Sequence, residues 1–224
     1  MSSSHVTGLA LLALLAAGCH RRGHAAPSPA CQSAVLTYED HELGADGVER
    51  DARYRETFVR CGDHVWTERV LPAKADVHDE HHHHPDPALL ARHVIGLPGG
   101  AARLELVDTD EKLVIDVDRA DHDAVGFSGR WDVASRLLGA EARRTMKPLE
   151  RVAPTGARWL ERRENGLYQT VLWSTVLDLP LSIETGDEKG RRSRRITVTL
   201  TPARAAPWLA TTGWSHKDWA DFGD

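Results

Sequence analysis

Residues 76–87, DVHDEHHHHPDP, place five histidines and four carboxylates (Asp76, Asp79, Glu80 and Asp86) within twelve positions. Neutral imidazoles bind Zn(II), Cu(II) or Ni(II), and neighbouring carboxylates add attraction, so His78, His81, His82, His83 and His84 have transition-metal ligand chemistry. His93, one short predicted helix further on, or His64 across a hairpin, would complete such a site. Consecutive histidines bounded by Pro85 and Pro87 are not preset as a tetrahedron, however, and ordering them costs conformational entropy. Two readings stand side by side: a metal-collecting loop, and a solvated loop that binds metal weakly and gains charge as pH falls through about 6.5. Neither requires a cofactor, and neither is catalytic. A zinc peptidase is not expected, because Glu80 does not follow a histidine and the prolines oppose an extended helix. GFSGR at 126–130 lacks the spacing of a G-x-S-x-G elbow, no Ser-x-x-Lys occurs, and GLPGG at 96–100 has no Lys-Ser/Thr after it. The acidic run DVDRADHD, residues 116–123, lacks the ligand spacing and glycine of a calcium loop and reads as a solvated strand end. EKGRRSRR, residues 188–195, reads as a charged hairpin tip that discourages edge pairing. The chain is therefore expected not to be an enzyme.

The elements that position these residues follow from the rest of the chain. Of 224 residues, 41% are hydrophobic, enough for one domain with a real core. Twenty-eight basic against 33 acidic residues give a formal charge of -5, so nothing global favours nucleic acid. Gly8 to Gly18, GLALLALLAAG, is an uncharged apolar run too short to span a bilayer and suited to a signal peptide over residues 1–18. It ends in LAAGC, which resembles the lipobox of bacterial lipoproteins. That resemblance implies a lipid on Cys19 and, with His20 following, retention in the outer membrane facing the periplasm. Residues 19–30 then form a lipidated cysteine and a small, basic, Pro-rich tether, and residues 31–224 form a single sheet-rich domain.

Outside the cytosol the remaining cysteines, Cys31 and Cys61, are expected to pair. Facing residues of an antiparallel hairpin have a constant sum; here the sum centres the turn on residue 46, where Asp46-Gly47 is a good turn dipeptide. A disulfide there staples the open end of a long first hairpin and contributes about 3–4 kcal/mol by the chain-entropy model. Strands of this length usually contain a bulge.

Further turns at Gly62-Asp63, Asp110–Lys112 and Asn165-Gly166, and the loop TGDEKG, separate β-branched runs into a meander. In RRITVTL, Ile196, Val198 and Leu200 share one face and Arg195, Thr197 and Thr199 the other. DPALLARHVIG and GRWDVASRLLGAEARRTM read as helices, the second interrupted near Gly139. The predicted fold class is α+β: a curved, mainly antiparallel meander sheet with a few helices packed on one face. Trp66, Trp159 and Trp173 lie in strand-like runs and either pack in the core or line a ligand cavity. The tail, with Trp208, Trp214, Trp219 and Phe222, is expected to fold back over an edge or the mouth of the sheet.

LWSTVLDLPLSIETGDEKGRRSRRITVTL, the late hairpin segment of a chain bearing a lipobox and a cysteine pair, resembles the LolA/LolB-like periplasmic proteins and their RseB-like relatives. The resemblance covers the last third of the chain and implies a sheet covered by helices around an apolar cavity for acyl chains or lipoprotein segments. The leading expectation is thus a noncatalytic envelope lipoprotein, membrane-bound through its lipid, that binds an acyl chain or other apolar ligand. The alternative rests on the loop at 76–87, which is similar to the His- and acid-rich loops of periplasmic zinc-uptake proteins.

Overall fold

A computed structural model describes residues 31–72 and 86–222. Cys19, the signal and tether segments, and His78 and His81 to His84 lie outside the described residues. The chain forms strands β1 (Gln32–Leu43), β2 (Glu49–Cys61), β3 (His64–Arg69), β4 (Ala91–Gly96), β5 (Ala102–Asp108) and β6 (Leu113–Val117). Two helices follow, α1 (Trp131–Arg136) and α2 (Ala140–Thr145). The remaining strands are β7 (Lys147–Pro148), β8 (Ala157–Glu164), β9 (Leu167–Ser174), β10 (Leu179–Asp187), β11 (Arg192–Thr201) and β12 (Ser215–Asp218). All twelve strands join one sheet in the order β12-β6-β5-β4-β3-β2-β1-β11-β10-β9-β8-β7. Neighbours are antiparallel except β12, which runs parallel to β6 along one edge.

The first hairpin has the register that its cysteines require. Pairing runs without a bulge from Gln32 opposite Arg60 to Leu43 opposite Glu49, and Cys31 is bonded to Cys61 with a Cα–Cα distance of 4.4 Å. At the tip Gly47 takes φ 77°, a left-handed conformation that glycine adopts without steric cost, and Asp46 accepts from the Val48 N–H at 3.1 Å. Asn165 and Gly166 take φ 53° and 75° between β8 and β9, the two positive values of a two-residue hairpin turn.

The fold is mostly β, which corrects the α+β expectation. The described helices are two of six residues each, too short for a helical layer. ARHVIG, expected as helix, is strand β4. Its backbone pairs with β3 on one side and β5 on the other, and satisfying both edges of a short apolar segment outweighs its helical spacing. Asp86 caps only a turn, accepting from the Ala88 N–H at 2.9 Å. The second expected helix is split where Leu137 turns left-handed at φ 57°.

One face of the sheet, here called the inner face, carries the main core. Leu36, Phe58, Leu104, Leu106 and Ile115 are fully buried there, beneath Val125, Phe127, Trp131, Ala134 and Leu137. Burying each such large side chain stabilises by about 1.5–3 kcal/mol. Gly96 lets the Trp131 ring lie against the strand backbone: a Cβ at this position would stand 2.9 Å from it. Leu138 and Met146 pack on Leu160, Val171, Trp173 and Ile183 as a second cluster. The tail folds back onto both faces. Trp208 and Trp214 cover Val59, Trp66, Ala91 and Val107 on the outer face, while Trp219 and Phe222 reach the main core.

Candidate functional site

Alternation along a strand places every second residue on the inner face, and the pairing registers align those residues into transverse rows. Tyr38, Ile196, Ile183, Val171 and Leu160 form an apolar row across β1, β11, β10, β9 and β8. One step toward the hairpin tips, the row is Asp40, Arg194, Thr185, Gln169 and Arg162. Both polar and apolar rows therefore meet on one continuous face. Beyond the helices this face opens into a trough of about 610 Å³, lined by the polar row together with Glu42, Glu164, Leu167, Asp187 and Arg192. That volume is typical of small-molecule sites.

Most of the trough's charges are already committed. Arg194 donates to both carboxylate oxygens of Asp40, from Nε at 2.5 Å and from Nη2 at 3.0 Å. Arg192 pairs with Glu42 at 3.2 Å. The Asp187 carboxylate accepts backbone N–H bonds from Lys189, Arg191 and Arg192 at 2.9, 3.1 and 2.7 Å, and these, led by that from Arg191, hold its pKa below the usual carboxylate range. Among the described residues Arg162 and Glu164 of the trough have no ion-pair partner, and the buried Gln169 Oε1 has no hydrogen-bond donor. Leu167 is 58% exposed at the mouth, so the trough combines apolar surface with a few unspent polar groups.

The outer face holds a different constellation. His64 Nδ1 lies 2.9 Å from His93 Nε2, His93 Nδ1 lies 2.7 Å from Glu105 Oε2, and Arg103 Nη2 donates to Glu105 Oε1 at 2.6 Å. Trp208 stacks on both imidazoles, with centroids at 4.9 and 5.4 Å. Burial pushes the His64 pKa down. Burial alone would raise that of Glu105, but the hydrogen bond from His93, with the charges of His93 and Arg103, outweighs it and keeps the carboxylate ionised. His93 thus has both ring nitrogens engaged by protein partners.

The three tryptophans named from the sequence do not share a cavity wall. Trp66 is buried on the outer face, and its indole donates to Glu68 at 3.3 Å. Trp173 is buried on the inner face with the Arg143 guanidinium 4.4 Å from its ring centroid. Trp159, next to inner-facing Leu160 and so on the outer face, donates to the Val152 carbonyl at 3.0 Å beneath Arg151 at 4.0 Å. Of the acidic run, Asp116 lies 3.1 Å from His216, and among the described residues no three His, Cys, Asp or Glu side chains are placed to hold a metal ion. Arg162, Gln169, Thr185 and Asp40 were not singled out from the sequence. The available signal was the continuation of the Ile196, Val198 face to Arg194, but which strands flank β11 is not a local property.

The fold and site together define one curved, mainly antiparallel sheet with an open, amphipathic inner face at one end. No family model matches the chain, and no curated protein matches it. Among solved structures it is similar to PNGF-II at 10% identity and TM-score 0.41, covering 86% of this chain but only 32% of that one. It is also similar to a LolA superfamily protein from Nitrosomonas europaea (12% identity, TM-score 0.37, 83% of this chain and 90% of that) and to a DUF1329 family protein from Desulfovibrio piger ATCC 29098 (8%, 0.35, 77% and 85%).

Proposed function

We propose that this protein is a noncatalytic binding protein of the cell envelope that holds an amphiphilic ligand in the inner-face trough. The observation that carries this reading is the change from an apolar row to a polar row at the point where the helices stop covering the sheet. An apolar segment of the ligand lies against the exposed Leu167 and the hydrocarbon stems of the long polar side chains that line the trough, where removing it from water is favourable, and a polar group lies beside Arg162 and Gln169. The Cys31–Cys61 bond fits an oxidising compartment outside the cytosol. In this reading a lipid on Cys19 anchors the chain to the outer membrane.

The binding test uses 11-(dansylamino)undecanoate as probe. Saturable binding by the wild-type chain is expected, weakened by about tenfold or more in Thr185→Trp, where an indole fills the middle of the trough floor. Absence of saturable binding overturns the reading, and unchanged binding in Thr185→Trp removes the trough as its location. For the anchor, Cys19→Ser is expected to move the protein from the membrane fraction to the soluble periplasmic fraction. Membrane retention of that variant at the wild-type level refutes lipid attachment as the tether.

A further inference from the structure

Resting on the trough reading above, we infer that the polar row is a head-group subsite: Arg162 receives an anionic oxygen, and Gln169 Oε1 accepts from a hydroxyl or N–H group carried beside it. The ligand class is an acyl amphiphile whose head joins a phosphate or carboxylate to a neighbouring hydrogen-bond donor.

Most polar groups of the trough already have partners. Asp40 and Arg194 close on each other in a bidentate pair, Glu42 is taken by Arg192, and Asp187 is used by the backbone of its own turn. Arg162 faces Gln169 across β8 and β9, and Gln169 faces Thr185 across β9 and β10, so the three side chains stand side by side at strand spacings of about 4.8 Å. All three line the same concavity. A guanidinium without a carboxylate partner offers directed donors suited to an oxyanion. A buried amide oxygen without a donor costs free energy until one arrives. The two needs lie on facing residues, whose Cβ atoms are about 5 Å apart, so one small head group meets both.

The remaining charge in the trough refines the class. Glu164 sits two residues after Arg162 on the same inner face and lines the same concavity; it has no ion-pair partner among the described residues. It disfavours a second anionic group on that side and favours a hydroxyl or ammonium there. A head with one anionic centre and a donor next to it therefore fits, whereas a bare carboxylate satisfies Arg162 alone and an uncharged glyceride satisfies Gln169 alone.

Displacement of the dansyl probe by four ligands of equal acyl length, each below its micelle concentration, tests this. Lysophosphatidylethanolamine (14:0) and N-myristoylglycine supply an anion with a donor, from a phosphate and a carboxylate source respectively. Myristate supplies the anion alone, and monomyristoylglycerol the donor alone. The first two are expected to bind about tenfold more tightly than monomyristoylglycerol, with myristate between; whichever of the two binds better identifies the anion source. Arg162→Gln is expected to abolish the preference for anions while leaving monomyristoylglycerol unaffected. Gln169→Leu is expected to abolish the preference for N-myristoylglycine over myristate. Equal wild-type affinities for all four overturn the head-group subsite while leaving the trough reading intact. Preferences that persist in Arg162→Gln overturn it as well, and failure of every ligand and the probe to bind overturns the trough reading itself.

Discussion

Replacing Cys31 and Cys61 together by alanine lowers the unfolding free energy by about 3–4 kcal/mol. The bond joins residues 30 apart in sequence, and removing it returns that much loop-closure entropy to the unfolded chain by the chain-entropy model. The effect is concentrated at the centre of the sheet, because β1 pairs with β2 on one side and β11 on the other. Guanidinium melts of the wild type and the double variant at neutral pH measure it. Coincident midpoints at equal slopes would show that the folded hairpin gains nothing from the covalent link.

Arg60→Met has the second large expected effect, a loss of about 2–3 kcal/mol. Arg60 Nη1 donates to the Ser135 carbonyl at 2.8 Å and the Asp178 carbonyl at 3.4 Å. Its Nη2 donates to the Leu177 carbonyl at 2.8 Å and to Gln32 Oε1. Beside these bonds Asp178 accepts from Arg136 at 2.5 Å and Arg143 at 3.2 Å, so one guanidinium ties the end of β2 to α1 and to the turn before β10. Burial pushes its pKa down, but the side chain is only half-buried, and water replaces part of what methionine removes. Arg60→Lys is expected to recover less than half of the loss, since one ammonium cannot reach carbonyls on both sides with a planar fork. Urea melts of the three proteins check the order; a methionine variant as stable as the wild type would sink the argument.

Some of this architecture was legible because it is local. The first hairpin combines a turn dipeptide, β-branched flanks and two cysteines equidistant from the turn, and all three fix the same register, observed from Gln32–Arg60 to Leu43–Glu49. The Asn165-Gly166 turn was readable because few residues accept two successive positive φ values. The outward set of β11, Arg195, Thr197 and Thr199, was readable because strand alternation depends on nothing beyond the strand. A tail so rich in tryptophan had to find cover, and it did so on both faces of the sheet.

The tertiary structure decided what depends on neighbours. Residues 91–96 carry apolar spacing compatible with helix or strand, and only the open backbone edges of β3 and β5 made them a strand. His64 and His93 were each visible as possible ligands, yet their mutual contact and the engagement of Glu105 arise from the pairing of β3, β4 and β5. The trough is the clearest case. Asp40 and Arg194 are 154 residues apart, and no short-range preference says that β1 lies beside β11. Periodicity tells each residue which face of its own strand it occupies, but the composition of a row across five strands is set by their order and register. By itself the sequence determined the alternation, the turns and the covalent staple, because those energies act over a few bonds or a fixed turn. Only the folded sheet decided that Arg162, Gln169 and Thr185 stand together, because that requires long-range pairing whose stabilisation appears after the chain has closed its loops.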